Sequence, residues 1–195
     1  MMNRKRKEEI PIRTAKQIRI LTSAVSIEII HVLRIGGPAT VGQLGPRLGR
    51  KANSLHYHVR KLISAGFIRK TGAGRSGART EAIYDVTAEL FSGPSAPKNP
   101  KLRKLNNDAV ATILRLAARN FAHATERPAD LTDWGKYCNI AVGRYKAWLT
   151  RPQLAEVNKH LDALRQIFLE SNQNQRGDLC AITVVLTPVD HDRRP

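Results

Sequence analysis

The sequence is poor in cysteine. Cys138 and Cys180 are the two among 195 residues, too few for a disulfide framework and consistent with a reducing cytoplasm. No Cys or His stands at metal-ligand spacing beside either of them, so a zinc site is not expected. Long apolar runs are missing as well: nothing approaches the ~18 consecutive apolar residues of a membrane helix. The basic start Arg4-Lys5-Arg6-Lys7 is followed by Glu8, Glu9, Arg13, Lys16 and Arg19, where a secretory leader would carry its apolar stretch. The signatures of catalysis are lacking too. There is no nucleophile elbow and no HExxH, and the glycine-rich stretch 72–77 lacks the Lys-Ser/Thr ending of a phosphate-binding loop, so neither an enzyme nor a cofactor is expected. Acidic residues are scarce, 16 against 33 Lys and Arg, for a net charge of +17. That imbalance favours a polyanionic partner.

The charge is uneven. Residues 1–91 hold 17 basic and 6 acidic groups, while 92–195 hold 16 and 10. Between the halves, Ser92-Gly93-Pro94-Ser95-Ala96-Pro97-Lys98-Asn99-Pro100 cannot sustain a helix or a central strand. The chain thus divides into a basic N-terminal arm (1–12), a first domain (13–91) expected to fold by itself, a linker (92–101), a second domain (102–188) and a tail (189–195).

In the first domain, Ile27, Ile30, Val32, Leu33 and Ile35 predict a buried helix that stops at Gly36-Gly37-Pro38, where glycine and proline end helical hydrogen bonding. Thr40 can cap a short second helix with Val41, Leu44 and Leu48 inward, kinked at Gly45-Pro46 because proline removes a backbone bond. A third helix, about Ala52 to Ala65, places Leu55, Val59 and Leu62 on one face and ends at Gly66,. Phe67 to Lys70 and Thr80 to Val86 then predict a hairpin whose long, flexible, glycine-rich tip carries Arg75 and Arg79,. Three short helices and a basic hairpin make a winged helix-turn-helix.

The residues from Ser54 to Ile68 resemble the recognition helix and wing entry of ArsR-type transcription regulators. Ser54, His58, Leu62, Ala65 and Gly66 match that family's motif one by one, and Thr40-Val41-Gly42-Gln43-Leu44 followed by Leu48-Gly49 is similar to its preceding helix. Gly45-Pro46 departs from the pattern. The resemblance implies a regulator of transcription that binds DNA. The family's metal-binding cysteines would fall near Val41 to Leu44, where this chain has none, so no regulatory metal is expected.

With Leu55, Val59 and Leu62 facing the core, the 100° step per residue turns Asn53, Ser54, His56, Tyr57 and Arg60 toward a major groove, where they could meet base edges,. Arg50, Lys51, Lys61, Lys70, Arg75 and Arg79 are candidates for phosphate contacts,. His58 lies beside the apolar stripe and is expected to pack and hydrogen-bond. Arg4 to Lys7 could enter a minor groove or form a non-specifically sticky tail.

The second domain reads as mainly helical with a small β element. Leu102 to Ala124 forms a long amphipathic helix, and Leu154, Val157, Leu161, Leu164 and Phe168 repeat every three or four residues like a dimer seam,. Thr150, Pro152 and Gln153 fix the start of the latter helix by a capping box,. Ile140 to Leu149 could be helix or strand, whereas Ala181 to Leu186 is β-branched and stops at Pro188,. Glu156 and His160 share a helical face, and Trp134, Tyr137, Tyr145 and Trp148 suit a core better than a pocket,. The expected protein is thus a cytoplasmic homodimer acting as a repressor on double-stranded DNA, with room for an organic effector and no membrane partner. The alternative is a winged helix used on RNA or as a protein-interaction module.

Overall fold

The structure is a computed structural model that describes residues 6–76, 79–93, 97–132, 135–172 and 176–189, with the backbone alone at 75, 76, 79 and 129. The chain opens with strand β1 (Lys7–Pro11), then helices α1 (Ala15–Ile20) and α2 (Ala24–Gly36), a two-residue strand β2 (Ala39–Thr40), α3 (Val41–Arg47) and α4 (Ala52–Ser64). Strands β3 (Ile68–Ser76), β4 (Arg79–Val86) and β5 (Ala88–Ser92) follow, and then the long helices α5 (Pro100–Thr125) and α6 (Arg151–Ser171). Among the described residues two sheets form: β1 lies parallel to β5, and β2, β4 and β3 make a three-stranded sheet in that order.

The helix starts follow from side-chain capping. Thr14 with Gln17, Thr40 with Gln43 and Thr150 with Gln153 each form a capping box, which satisfies backbone donors that a helix leaves orphaned. Gly49 at φ 60° makes the turn between α3 and α4, a left-handed conformation that costs glycine little. Pro46 sits in the last turn of α3, which ends one residue later. Ile29, Leu33, Leu44, Leu55, Leu62, Phe67, Ile68 and Val86 are fully buried and bring α2, α3, α4, β3 and β4 onto one core.

Four expectations change. First, residues 6–11 are not a free arm. β1 pairs with β5, and the Arg6 guanidinium donates to Asp85 (2.7 Å), to Glu89 (3.2 Å) and to the Leu33 and Arg34 carbonyls at the end of α2 (both 3.0 Å). Residues 1–5 lie outside the described ones. Second, glycine-rich residues 72–76 are strand and not loop, and residues 77 and 78 lie outside the described ones. The β3–β4 ladder continues to Ser76↔Arg79, with a register shift between Lys70 and Gly72. A Cβ at Gly74 would come within 2.9 Å of Ile83 Cδ1, so a larger residue there would have to move the end of the Ile83 side chain. Third, α5 belongs to the first domain. Ala109 and Thr112 are buried, Leu102 and Leu105 pack against the core, and the Thr112 hydroxyl donates to the Thr22 carbonyl at 3.2 Å. Arg119 is ion-paired with Glu28 of α2. Fourth, the expected C-terminal β element makes no ladder: beyond α5, no strand is formed among the described residues. Residues 140–149 and 179–189 run without regular structure on either side of α6.

Candidate nucleic-acid interface

α4 is amphipathic, and its two faces are cleanly separated. Leu55, Val59 and Leu62 are buried, whereas Asn53, Ser54, His56, Tyr57 and Arg60 are exposed. Leucine and valine at i, i+4 and i+7 fix the rotation of the helix, because turning it would put three apolar side chains into water at ~2 kcal/mol each. The outward row is therefore set by the core.

Two elements hold α4, one at its carboxyl end and one midway along it. At the carboxyl end, the Lys16 ammonium of α1 donates to the Ser64 carbonyl at 2.8 Å and Gln17 Nε2 to the Ala65 carbonyl at 3.4 Å, satisfying acceptors that the last turn leaves open. The Thr14-x-x-Gln17 capping box of α1 is the signal for this clamp in the sequence. Midway along α4, His58 Nδ1 lies 3.2 Å from the Ser26 hydroxyl and 3.4 Å from that of Ser23, the expected packing role. Burial, and then the charges of Arg50 and Lys61, push the His58 pKa below its ordinary value. The neutral ring is thus favoured and can accept from Ser26.

The predicted cations stand on α4, on the turn before it and on the β3–β4 hairpin. Arg50, Lys51, Lys61 and Lys70 are all exposed. Lys61 Nζ sits 4.2 Å from the centroid of the Tyr57 ring, a cation–π contact that stiffens both side chains. Ser54 Oγ donates to the Lys51 carbonyl at 2.8 Å. Arg75 and Arg79 occupy the far end of the hairpin, and their side chains lie outside the described ones. The hairpin is tied to the first turn of α3 where the Gly42 N–H donates to the Glu81 carboxylate at 3.0 Å, a negative charge where the helix dipole favours one. Between Glu28 and Glu81 the chain has ten Lys and Arg and no Asp or Glu. The exposed α4 face, the turn before it and most of the hairpin therefore lie in a stretch with no negative side chain.

Residues 21–71 match the family model of a helix-turn-helix domain. The matched span takes in α2, α3, the Gly49 turn, α4 and the entry to β3. A helix-turn-helix makes this a DNA-binding, transcription-regulator type of chain with DNA as its partner. No curated protein matches the chain.

The other candidate groups are not gathered into the helix-turn-helix. Leu154, Val157, Leu161, Leu164 and Phe168 lie on α6, which buries none of its residues. Tyr137, Tyr145 and Trp148 are exposed and do not form the core expected of them, and Trp134 lies outside the described residues. Glu156 Oε1 and His160 Nε2 are 3.3 Å apart on the exposed side of α6, and among the described residues no cluster of three metal-ligating side chains occurs. An open hollow of about 370 Å³ lies between Ile35 of α2 and the end of α6, lined there by Ile167, Phe168 and Cys180. No helix is long and apolar enough to cross a membrane among the described residues.

Proposed function

We propose that the protein is a sequence-specific regulator of transcription resembling the ArsR type, a repressor that binds double-stranded DNA as a homodimer in the cytoplasm and performs no catalytic step. The observation that carries this reading is the exposed row Asn53, His56, Tyr57 and Arg60, held outward by buried Leu55, Val59 and Leu62 within a stretch of sequence, residues 29–80, that has no acidic residue. In this reading α4 enters a major groove with Asn53 and Tyr57 at base edges, while Arg50, Lys51, Lys61 and the β3–β4 hairpin, acting as a wing with Lys70, Arg75 and Arg79, take phosphates. Two copies would read an inverted repeat, and bound protein would exclude polymerase. α3 carries no cysteine, so this reading does not route control through a metal held there and leaves room for an organic effector.

The test is selection of genomic fragments bound by the purified chain. A recurrent inverted repeat with half-sites about one helical turn apart is expected. A pool without any recurrent sequence would overturn the reading in favour of a winged helix used on RNA or on another protein.

A further inference from the structure

The last third of the chain exposes more apolar surface than a finished fold leaves open. Val142, Tyr145 and Leu179 are 85%, 93% and 79% exposed. The total accessible surface is 15072 Å², against ~9,200 Å² for a compact protein of 21.7 kDa,. The 21 residues outside the described ones supply ~3,400 Å² at most, even at the ~1.45 Å² per dalton of an unfolded chain. More than ~2,000 Å² of the excess thus belongs to described residues, on the scale that each copy of an obligate dimer covers.

The two extended segments beside α6 have the pattern of strands. Ala141, Gly143, Tyr145, Ala147 and Leu149 alternate with a row that includes Arg144 and Lys146. Cys180, Ile182, Val184 and Leu186 alternate with a row that includes Thr183 and Thr187. Each segment thus has one wholly apolar face at period two, yet neither belongs to a ladder among the described residues. An extended apolar segment outside the ladders of the described residues is a template for adding another strand,. The chain does not readily cover these faces by itself. Thr150, at ψ 164°, is the one residue between 140–149 and α6. A strand-to-helix turn that folds the helix back over its own strand commonly needs two to six residues, and too short a joint promotes exchange between copies.

We infer that residues 140–149 and 179–188 are strands of a sheet built between two copies of this chain, covered by α6 of each. This rests on the homodimer reading and replaces a helix-only seam with an exchanged strand–helix–strand arm. Leu154, Val157, Leu161, Leu164 and Phe168 face the shared sheet, and the α4 helices of the two copies are joined through α5 and these arms.

Sedimentation of the full chain combined with backbone hydrogen exchange tests it. The expected result is a dimer whose amides at 140–149 and 179–187 are protected, with that protection lost together with the dimer on dilution. Val184→Pro, which removes a ladder donor, is expected to give monomers in which residues 6–125 stay protected. A dimer whose amides in both segments exchange as fast as unstructured chain would overturn the shared sheet and leave the homodimer standing. A monomer would overturn both, with protected amides indicating pairing within one chain and unprotected amides a different partner.

Discussion

Arg6 joins three separate parts of the chain: β4 through Asp85, β5 through Glu89, and the carboxyl end of α2 through two carbonyls. Burial opposes its charge, but hydrogen bonding and attraction from Asp85, and then from Glu89, outweigh that and raise its pKa. Arg6→Ala would leave the nearly buried Asp85 carboxylate with the Val86 N–H at 2.8 Å and, as its counter-charge, Arg69 at 4.0 Å. The expected cost is about 2–3 kcal/mol of stability, read by urea unfolding, with no change in DNA sequence preference. Side chains of α4 are expected to behave in the opposite way. Asn53→Ala and Tyr57→Ala should relax sequence preference by about 1–3 kcal/mol per contact, whereas Lys70→Ala, Arg75→Ala and Arg79→Ala should weaken all duplexes alike and flatten the salt dependence by about one unit each. Affinities for selected and random duplexes over a salt series separate the two groups. His58 adds a pH dependence. Its folded pKa lies below the ordinary 6.5, so between the two values the unfolded chain binds the extra proton. The His58 contribution is present above about pH 6.5 and is lost as pH falls through the folded pKa. His58→Gln is expected to flatten the fall of stability on the acid side, measured by thermal unfolding between pH 7 and 5.

At the scale of elements, the domain boundary is the clearest lesson. A fragment of residues 13–91 lacks β1 and α5, so β5 loses its partner and the Thr22 region loses Thr112. It is expected to unfold at lower urea than a fragment of residues 1–126, with the difference visible by circular dichroism. The helices around the site were legible in the sequence because their signals are local. Thr40 caps α3, the rows Leu55-Val59-Leu62 and Asn53-His56-Tyr57-Arg60 follow from 3.6-residue periodicity, and Thr150 starts α6 where its capping box predicts,. What was not legible depends on contacts distant in sequence. β1 is a strand because β5 stands beside it about eighty residues later, and its Lys-Glu-Glu run carries no strand pattern of its own. The glycine-rich stretch looked like a loop because glycine marks turns, whereas residues 72–76 pair with β4 across a register shift, which depends on the opposite strand,. The packing of α5 on the first domain was hidden because its stripe resembles any amphipathic helix.

For the whole molecule, charge and assembly act together. On the proposed reading, in which one helix of each copy meets the bases, affinity comes mainly from phosphates, so each half-site alone would be weak and strongly salt-dependent. Leu161→Glu puts a charge into the apolar row of α6 and is expected to give monomers, with operator affinity falling by more than about tenfold; sedimentation and binding on the same preparation check it.

The parallel pairing of β1 with β5 also bears on how the chain reaches its native state. One edge of that pair precedes every helix in the chain, and the other follows the whole helix-turn-helix and its hairpin. The ladder therefore closes a loop of roughly eighty residues, an entropic cost repaid only after the intervening elements have formed. During synthesis, α1 to α4 can assemble while β1 still waits for its neighbour, and Arg6 cannot reach Glu89 until β5 arrives. The clamp is thus a late event, expected to slow unfolding far more than it speeds folding. Stopped-flow refolding of Arg6→Ala would register this as an unchanged folding limb and a raised unfolding limb.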